Sequence, residues 1–422
     1  MKVRFLVPVL VFWMSFEAFS SEVKLGSPEA LWKTIPIVAW YGIPTQFATP
    51  ERYREMAEAG FTMCLPLDGS TEAARRHLDC AASAGIKLIL MEQRMLEDPA
   101  SVAKEFREHP ALGMYFLRDE PGAASFPRLR EVREILAQAD PEHISYMNLY
   151  PNYADSTQME APDYSSYVER FLSEVRPAYL GYDHYGLIQE RGRTVLRPGY
   201  YQNLELISKK ARECGVPFWA FVLATPHGPY GAPTEGGLRL QAFSNLAYGA
   251  RGIQYFTYWT PLSPDREFVF HDGPILQDGT RTQLLDVITK VNRDIRTLTP
   301  ALVGLKAAGV QHFKPVDPGV EVFSPGHGMA SLRGESAVLG FFTDEAGEGW
   351  VLVVNRDFEK PSELTVTTLE GIDGVGEFSK VSGKAETVNT VAEGAGKVFS
   401  IRLEPGDGRL FHFAKSNASV KE

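Results

Sequence analysis

Two acidic residues adjoin at the end of an apolar run, in Leu117-Arg118-Asp119-Glu120-Pro121. A third acid, Asp183, ends another such run in Tyr182-Asp183-His184-Tyr185. Paired carboxyl groups suit the cleavage of a glycosidic bond. One acid protonates the leaving oxygen, and the other carboxylate attacks the anomeric carbon or activates water. Aromatic residues stand at comparable places: Trp40, Tyr41, Tyr150, Tyr185, Tyr258 and Trp259. Their flat apolar faces and polar edges match sugar rings. Arg118, Asn148, His184, His227 and Glu92 add hydrogen-bonding groups suited to hydroxyls. Each has a plainer reading. Asp119 can pair with Arg118 at a strand-to-loop junction, and Asp183 can cap a turn. Glu92 and Asp68 can be structural, His227 can be solvated, and Tyr258 and Trp259 can be rim packing.

What places these residues together is a repeated unit. Short apolar runs read as strands at Pro36–Tyr41, Phe61–Leu67, Lys87–Glu92, Leu112–Leu117, Ile144–Leu149, Tyr179–Tyr182, Phe218–Leu223 and Ile253–Tyr258. A helical pattern follows each, with recognisable punctuation. Thr49-Pro50 opens the first helix and Gly60 ends it; Ser70 and Gly85 bracket the second; Pro99 opens and Pro110 stops the third. Later helices are read over Ser125 to Ala139, Asp163 to Val175, Asn203 to Cys214, Thr234 to Gly249 and Gln283 to Leu298. Strands alternating with crossover helices are parallel. Eight such units make a (β/α)8 TIM barrel, whose chemistry sits at the C-terminal ends of the strands. All the candidates above fall at such ends. The rival, a doubly wound open sheet, calls for a glycine-rich loop after the first strand. Tyr41-Gly42-Ile43-Pro44-Thr45 is not one.

Beyond Thr299 the helical pattern stops. Short runs at Val320–Phe323, Ala337–Phe342, Trp350–Asn355, Leu364–Thr368 and Gly408–Phe413, broken by glycine turns, predict a β-sandwich. The expected division is a signal peptide over 1–20, the barrel over 21–300 and the sandwich over 301–422. Lys2 and Arg4, the apolar run Phe5 to Met14 and Ala18-Phe19-Ser20 have the form of a cleavable leader, which implies a secreted or periplasmic protein. The rest of the chain has no apolar stretch long enough to span a bilayer. A formal charge of -10 argues against nucleic acid as partner. Cys64, Cys80 and Cys214 have no metal-ligand spacing and read as small buried apolar residues. No metal or cofactor signature is present, so the expected partner is a carbohydrate with no cofactor. The oligomeric state is not legible.

Together, Leu117-Arg118-Asp119-Glu120-Pro121, Tyr182-Asp183-His184-Tyr185 and Gln254-Tyr255-Phe256-Thr257-Tyr258-Trp259 resemble the clan A-like barrel glycoside hydrolases, near secreted bacterial relatives of the family 42 β-galactosidases. Leu403-Glu404-Pro405-Gly406-Asp407-Gly408 resembles the last strand of accessory domains in such enzymes. The resemblance implies Glu120 as the acid/base after strand four, where Asp119 replaces the clan's Asn. It also implies a nucleophilic Glu after strand seven, but the residues there are Leu223-Ala224-Thr225-Pro226-His227. Three alternatives follow. Asp183 after strand six is the second carboxylate. Or Asp119-Glu120 acts as in the family 20 and family 123 hexosaminidases, where the substrate's acetamido group attacks. Or the barrel binds glycans without cleaving them.

Overall fold

The computed structural model describes residues 33–263, 269–315 and 317–415. The leader expected over residues 1–20 lies outside the described residues. Ten strands lie in the first part of the chain: β1 (Ile37–Trp40), β2 (Met63–Leu65), β3 (Lys87–Leu90), β4 (Leu112–Asp119), β5 (Ile144–Asn148), β6 (Leu180–Tyr182), β7 (Leu187–Glu190), β8 (Arg193–Leu196), β9 (Phe218–Leu223) and β10 (Gly252–Phe256). All but β7 and β8 form one parallel sheet in the order β5-β4-β3-β2-β1-β10-β9-β6. β1 pairs with β10 from Ile37–Ile253 to Trp40–Phe256. The two ends of the sheet meet where Leu149 bridges Tyr182. The result is the expected (β/α)8 barrel.

Period-two alternation divides the strand residues between two cores. Val38, Met63, Leu65, Ile89, Met114, Tyr146, Trp219 and Phe221 fill the interior. Ile37, Ala39, Cys64, Leu88, Tyr115 and Leu180 face the surrounding helices. The helix signals work locally as read. Ser70 accepts from the Ala73 amide, and Gly85 takes the left-handed turn that ends the helix with φ 69°. Thr49 and Asp98 cap helices that begin with proline. Some bounds differ. The third helix ends at Phe106, before Pro110; another begins at Tyr200 rather than Asn203; the last runs through Pro300 to Leu302. The β7–β8 hairpin, turning at Arg191-Gly192, was not read from the sequence.

From β11 (Lys306–Phe313) onward the chain is antiparallel. It continues with β12 (Met329–Gly334), β13 (Ala337–Thr343), β14 (Gly349–Asn355), β15 (Ser362–Thr368), β16 (Ile372–Phe378), β17 (Ala385–Thr387), β18 (Val391–Glu393), β19 (Gly396–Leu403) and β20 (Gly408–Lys415). Two sheets, β11-β13-β14-β20-β16-β17 and β12-β15-β19-β18, enclose a second apolar core. Val320–Phe323 is not a strand: Val322 makes a single bridge to His312. The barrel helix Glu235–Ala247 packs on β13, β14 and β20. Cys64 and Cys80 are buried, but Cys214 is exposed, because it ends its helix on the solvent side. No helix among the described residues is long and apolar enough to cross a membrane.

The seam between β5 and β6 requires glycine. A Cβ on Gly181 would lie 2.8 Å from the Met147 carbonyl oxygen and 3.1 Å from the Tyr179 ring. Leu149 N–H donates to Gly181 O at 2.9 Å, and Asp183 N–H donates to Leu149 O at 3.2 Å. Gly181→Ala is expected to cost about 1–3 kcal/mol, as overpacking does. Urea unfolding checks this; an unchanged midpoint would show that the seam yields freely.

Candidate active site

The register of β4 against β5 slips between Phe116 and Arg118, a bulge that re-aims the end of the strand. Past it, Asp119 lies opposite Asn148. The Asn148 carboxamide donates to Asp119 Oδ1 at 3.2 Å and to Asp183 Oδ1 at 3.5 Å. One side chain thus ties the ends of β4 and β6 across β5. Glu120 has φ 46°, a left-handed conformation rare for a residue with a side chain. Its surroundings hold it there. Glu120 N–H donates to Asn148 O at 2.7 Å, and the Tyr167 hydroxyl donates to Pro121 O at 2.6 Å. The turn brings the Glu120 carboxyl beside that of Asp183, in one pocket.

The three carboxyl groups share a pocket of about 350 Å³, walled by Tyr150, Tyr153, Tyr185, His227, Tyr230, Phe256 and Phe270. Burial acts on all three, and like-charge repulsion adds to it at Glu120 and Asp183. Desolvation, then the neighbouring Asp119 charge, pushes Glu120 up to about 7. Asp119 is pushed up to about 6, chiefly by desolvation, with Asn148 and Arg118 opposing. Asp183 is raised well above the carboxylate range by burial, then by Glu120 and Asp119. The interaction between the two lowers Glu120 and raises Asp183, so Asp183 holds its proton the more firmly of the pair.

A roof covers Asp183. The Tyr153 and Tyr230 hydroxyls, on the loops after β5 and β9, lie 3.2 Å apart. The Arg197 guanidinium lies 4.1 Å from the centre of the Tyr153 ring and donates to the Tyr230 hydroxyl at 3.1 Å. His184 sits beneath, buried between Tyr153 and Tyr200. Its pKa is pushed down to about 3 by burial, then by the charge of Arg197, so the ring is neutral.

Of the residues named from sequence, Asp119, Glu120, Tyr150, Asp183, Tyr185 and His227 line this pocket, and Asn148 supports it. Several others do not. Tyr258 and Trp259 are buried at the barrel rim, Tyr258 against Phe61 and Trp259 against Phe47 and Arg52, and offer no sugar platform. Trp40 packs on Phe221 and Phe256 in the barrel interior. The Glu92 carboxylate accepts from Thr71 at 2.7 Å and from Arg94 at 2.8 Å, so it braces the loop after β3. Glu92 and Arg118 line one neighbouring recess and Tyr41 another. His184 lies behind the wall. Sequence reading missed Tyr153, Tyr230, Phe256, Phe270 and Arg197. The aromatics of the proline-containing loops Tyr150-Pro151-Asn152-Tyr153 and His227-Gly228-Pro229-Tyr230 were a usable signal for the first two. Among the described residues, the group of carboxylates and histidines close enough to share an ion is Asp344, Glu348 and His412, in the sandwich.

No protein-family model matches the sequence, and no curated protein matches it. Solved structures do resemble it. A glycoside hydrolase family 5 protein from Bacteroides vulgatus ATCC 8482 superposes with a TM-score of 0.54 at 12% identity, over 91% of this chain and 89% of that one. A putative α-galactosidase/melibiase from Bacteroides fragilis NCTC 9343 gives 0.49 at 11% identity, over 90% and 79%. The β-galactosidase from the psychrophilic Marinomonas ef1 gives 0.49 at 13% identity, over 66% of this chain and 63% of that one. At these identities the likeness is one of fold.

The raised carboxyls have a stability consequence. The folded state keeps a proton on Glu120 up to about 7, whereas its ordinary value is 4.5. The unfolded chain therefore binds fewer protons in that window, and stability falls as pH rises through it. Urea unfolding across this range is expected to show the fall, and Glu120→Gln to flatten it. Asp119→Asn removes the repelling charge and should lower the Glu120 titration, followed by carboxyl carbon NMR. An unmoved titration would show that Glu120 does not feel Asp119.

Proposed function

We propose that the protein hydrolyses an O-glycosidic bond of a polysaccharide or glycan, with Glu120 as the general acid. The observation that carries this reading is the convergence of Asp119, Glu120 and Asp183 in one aromatic-walled pocket at the C-terminal mouth of a barrel. A carboxyl group pushed up to about 7 holds a transferable proton near neutrality. Tyr150, Tyr185 and Tyr230 supply faces for a sugar ring, and Asp119 and Asn148 supply partners for its hydroxyls. In this reading Glu120 gives its proton to the leaving oxygen. Asp183 passes its proton to Glu120 as the substrate enters between them, and the carboxylate so formed attacks the anomeric carbon or takes the proton of a water molecule that attacks it. The leader-like residues 1–20 fit an extracellular or periplasmic site of action.

One observation favours a second reading. Asp119 lines the pocket beside Glu120. That arrangement suits a 2-acetamido sugar whose own carbonyl oxygen attacks, with Asp119 orienting the amide.

Glu120→Gln keeps the shape and removes the proton. Turnover of a substrate with a poor leaving group is expected to drop about 10²–10⁴-fold. Near wild-type turnover in this variant would rule out the role. Binding of glycan without turnover in the wild type would leave a non-catalytic glycan-binding barrel. Asp183→Asn and Asp119→Asn then separate the two readings. The first expects Asp183→Asn to be the more damaging. Full activity in Asp183→Asn, with Asp119→Asn inactive on a 2-acetamido sugar, would select the second.

A further inference from the structure

We infer that the carboxylate pocket is one part of a longer cleft that seats an oligosaccharide chain across the barrel mouth. This rests on the glycosidase reading above and adds that the substrate is a chain of sugars, bound through several units.

Three recesses lie on the C-terminal rim. The first, of about 350 Å³, holds Asp119, Glu120 and Asp183. The second, also about 350 Å³, lies between the loops after β3 and β4 and includes Gln93, Phe116 and Arg118. The third, about 310 Å³, lies between the loops after β1 and β2 and includes Tyr41, Asp68 and Gly69. Each is in the size range of a small-ligand site. They adjoin one another. Gly69 lines the second and the third, and its carbonyl accepts from the Gln93 amide at 2.7 Å. Arg118 lines the second, and its neighbour Asp119 lines the first.

The three recesses also share a floor. Tyr41, Met91, Phe116 and Phe256 are partly buried and pack on the core inside the barrel. At least one of them lies in each recess. An apolar floor with polar edges is what a row of sugar rings needs. Tyr153 and Tyr230, whose hydroxyls lie 3.2 Å apart, wall the first recess, and Arg118 lines the second. Arg118 is exposed there, and its guanidinium acts on Asp119 through its charge without a salt bridge among the described residues. Its guanidinium is placed to bind a sugar unit that straddles the first two recesses.

The probes are β-1,4-linked glucose, mannose and N-acetylglucosamine oligomers of two to six units. Binding is measured calorimetrically on Glu120→Gln, which keeps the cleft and does not consume the probe. For the best-bound series, affinity is expected to rise roughly tenfold or more from dimer to pentamer, the gain of about one or two added hydrogen-bonded contacts. Gln93→Trp, at an exposed position, puts bulk in the second recess and should flatten that rise. Affinity that stops increasing at two units, a length dependence untouched by Gln93→Trp, or no binding by any series would overturn the cleft. Turnover by the wild type is read separately. Hydrolysis with no length dependence in binding removes the cleft and leaves the glycosidase reading. Length-dependent binding with no hydrolysis removes the glycosidase reading and keeps the cleft.

Discussion

Three carboxyl groups buried within reach of one another cannot all be ionised. Desolvation disfavours each charge, and each charge disfavours the others. The cluster of Asp119, Glu120 and Asp183 therefore holds a proton at pH values where separate carboxylic acids would have lost theirs. The chemical reading of the protein depends on that constraint. In the proposed mechanism it supplies the proton that Glu120 donates, and it makes the Glu120–Asp183 contact attractive rather than repulsive. The Asn148 carboxamide, donating to both aspartates, is the fixed point around which the cluster is arranged.

The fold supplies the constraint through backbone geometry. The bulge late in β4 aims Asp119, and the left-handed Glu120 turns its side chain towards β6. Gly181 lets β6 approach β5 closely enough to deliver Asp183. None of these devices is a property of the carboxylates themselves. The sandwich stands apart from the chemistry. It lies against the helix Glu235–Ala247, on the outside of the barrel, and its own core is separate.

Legibility followed the range of the forces involved. The eight barrel strands could be read because each is a short apolar run closed by a cap, a glycine or a proline, all local signals. Glu120 and Asp183 could be read because strand ends in this architecture point to one face. Orientation past a strand end was not legible. Tyr258 and Trp259 follow β10 but turn back under the rim, where the Tyr258 and Trp259 amides donate to Trp40 O and Tyr41 O. Glu92 has the same position after β3, yet Arg94 and Thr71 take its carboxylate. The Tyr153–Tyr230 roof joins residues far apart in sequence, so it became visible only with the loops in place. In the sandwich, Ile372–Phe378 and Gly396–Leu403 escaped notice because strands with one face to solvent are half polar.

The central claim is that Glu120 and Asp183 share one proton at neutral pH. Neutron diffraction from crystals grown in heavy water near pH 7 locates that proton directly. The account predicts a single deuteron between the two carboxyl groups, with both within hydrogen-bonding distance. Two bare carboxylates, separated and facing solvent or a cation, would contradict it and remove Glu120 as the acid.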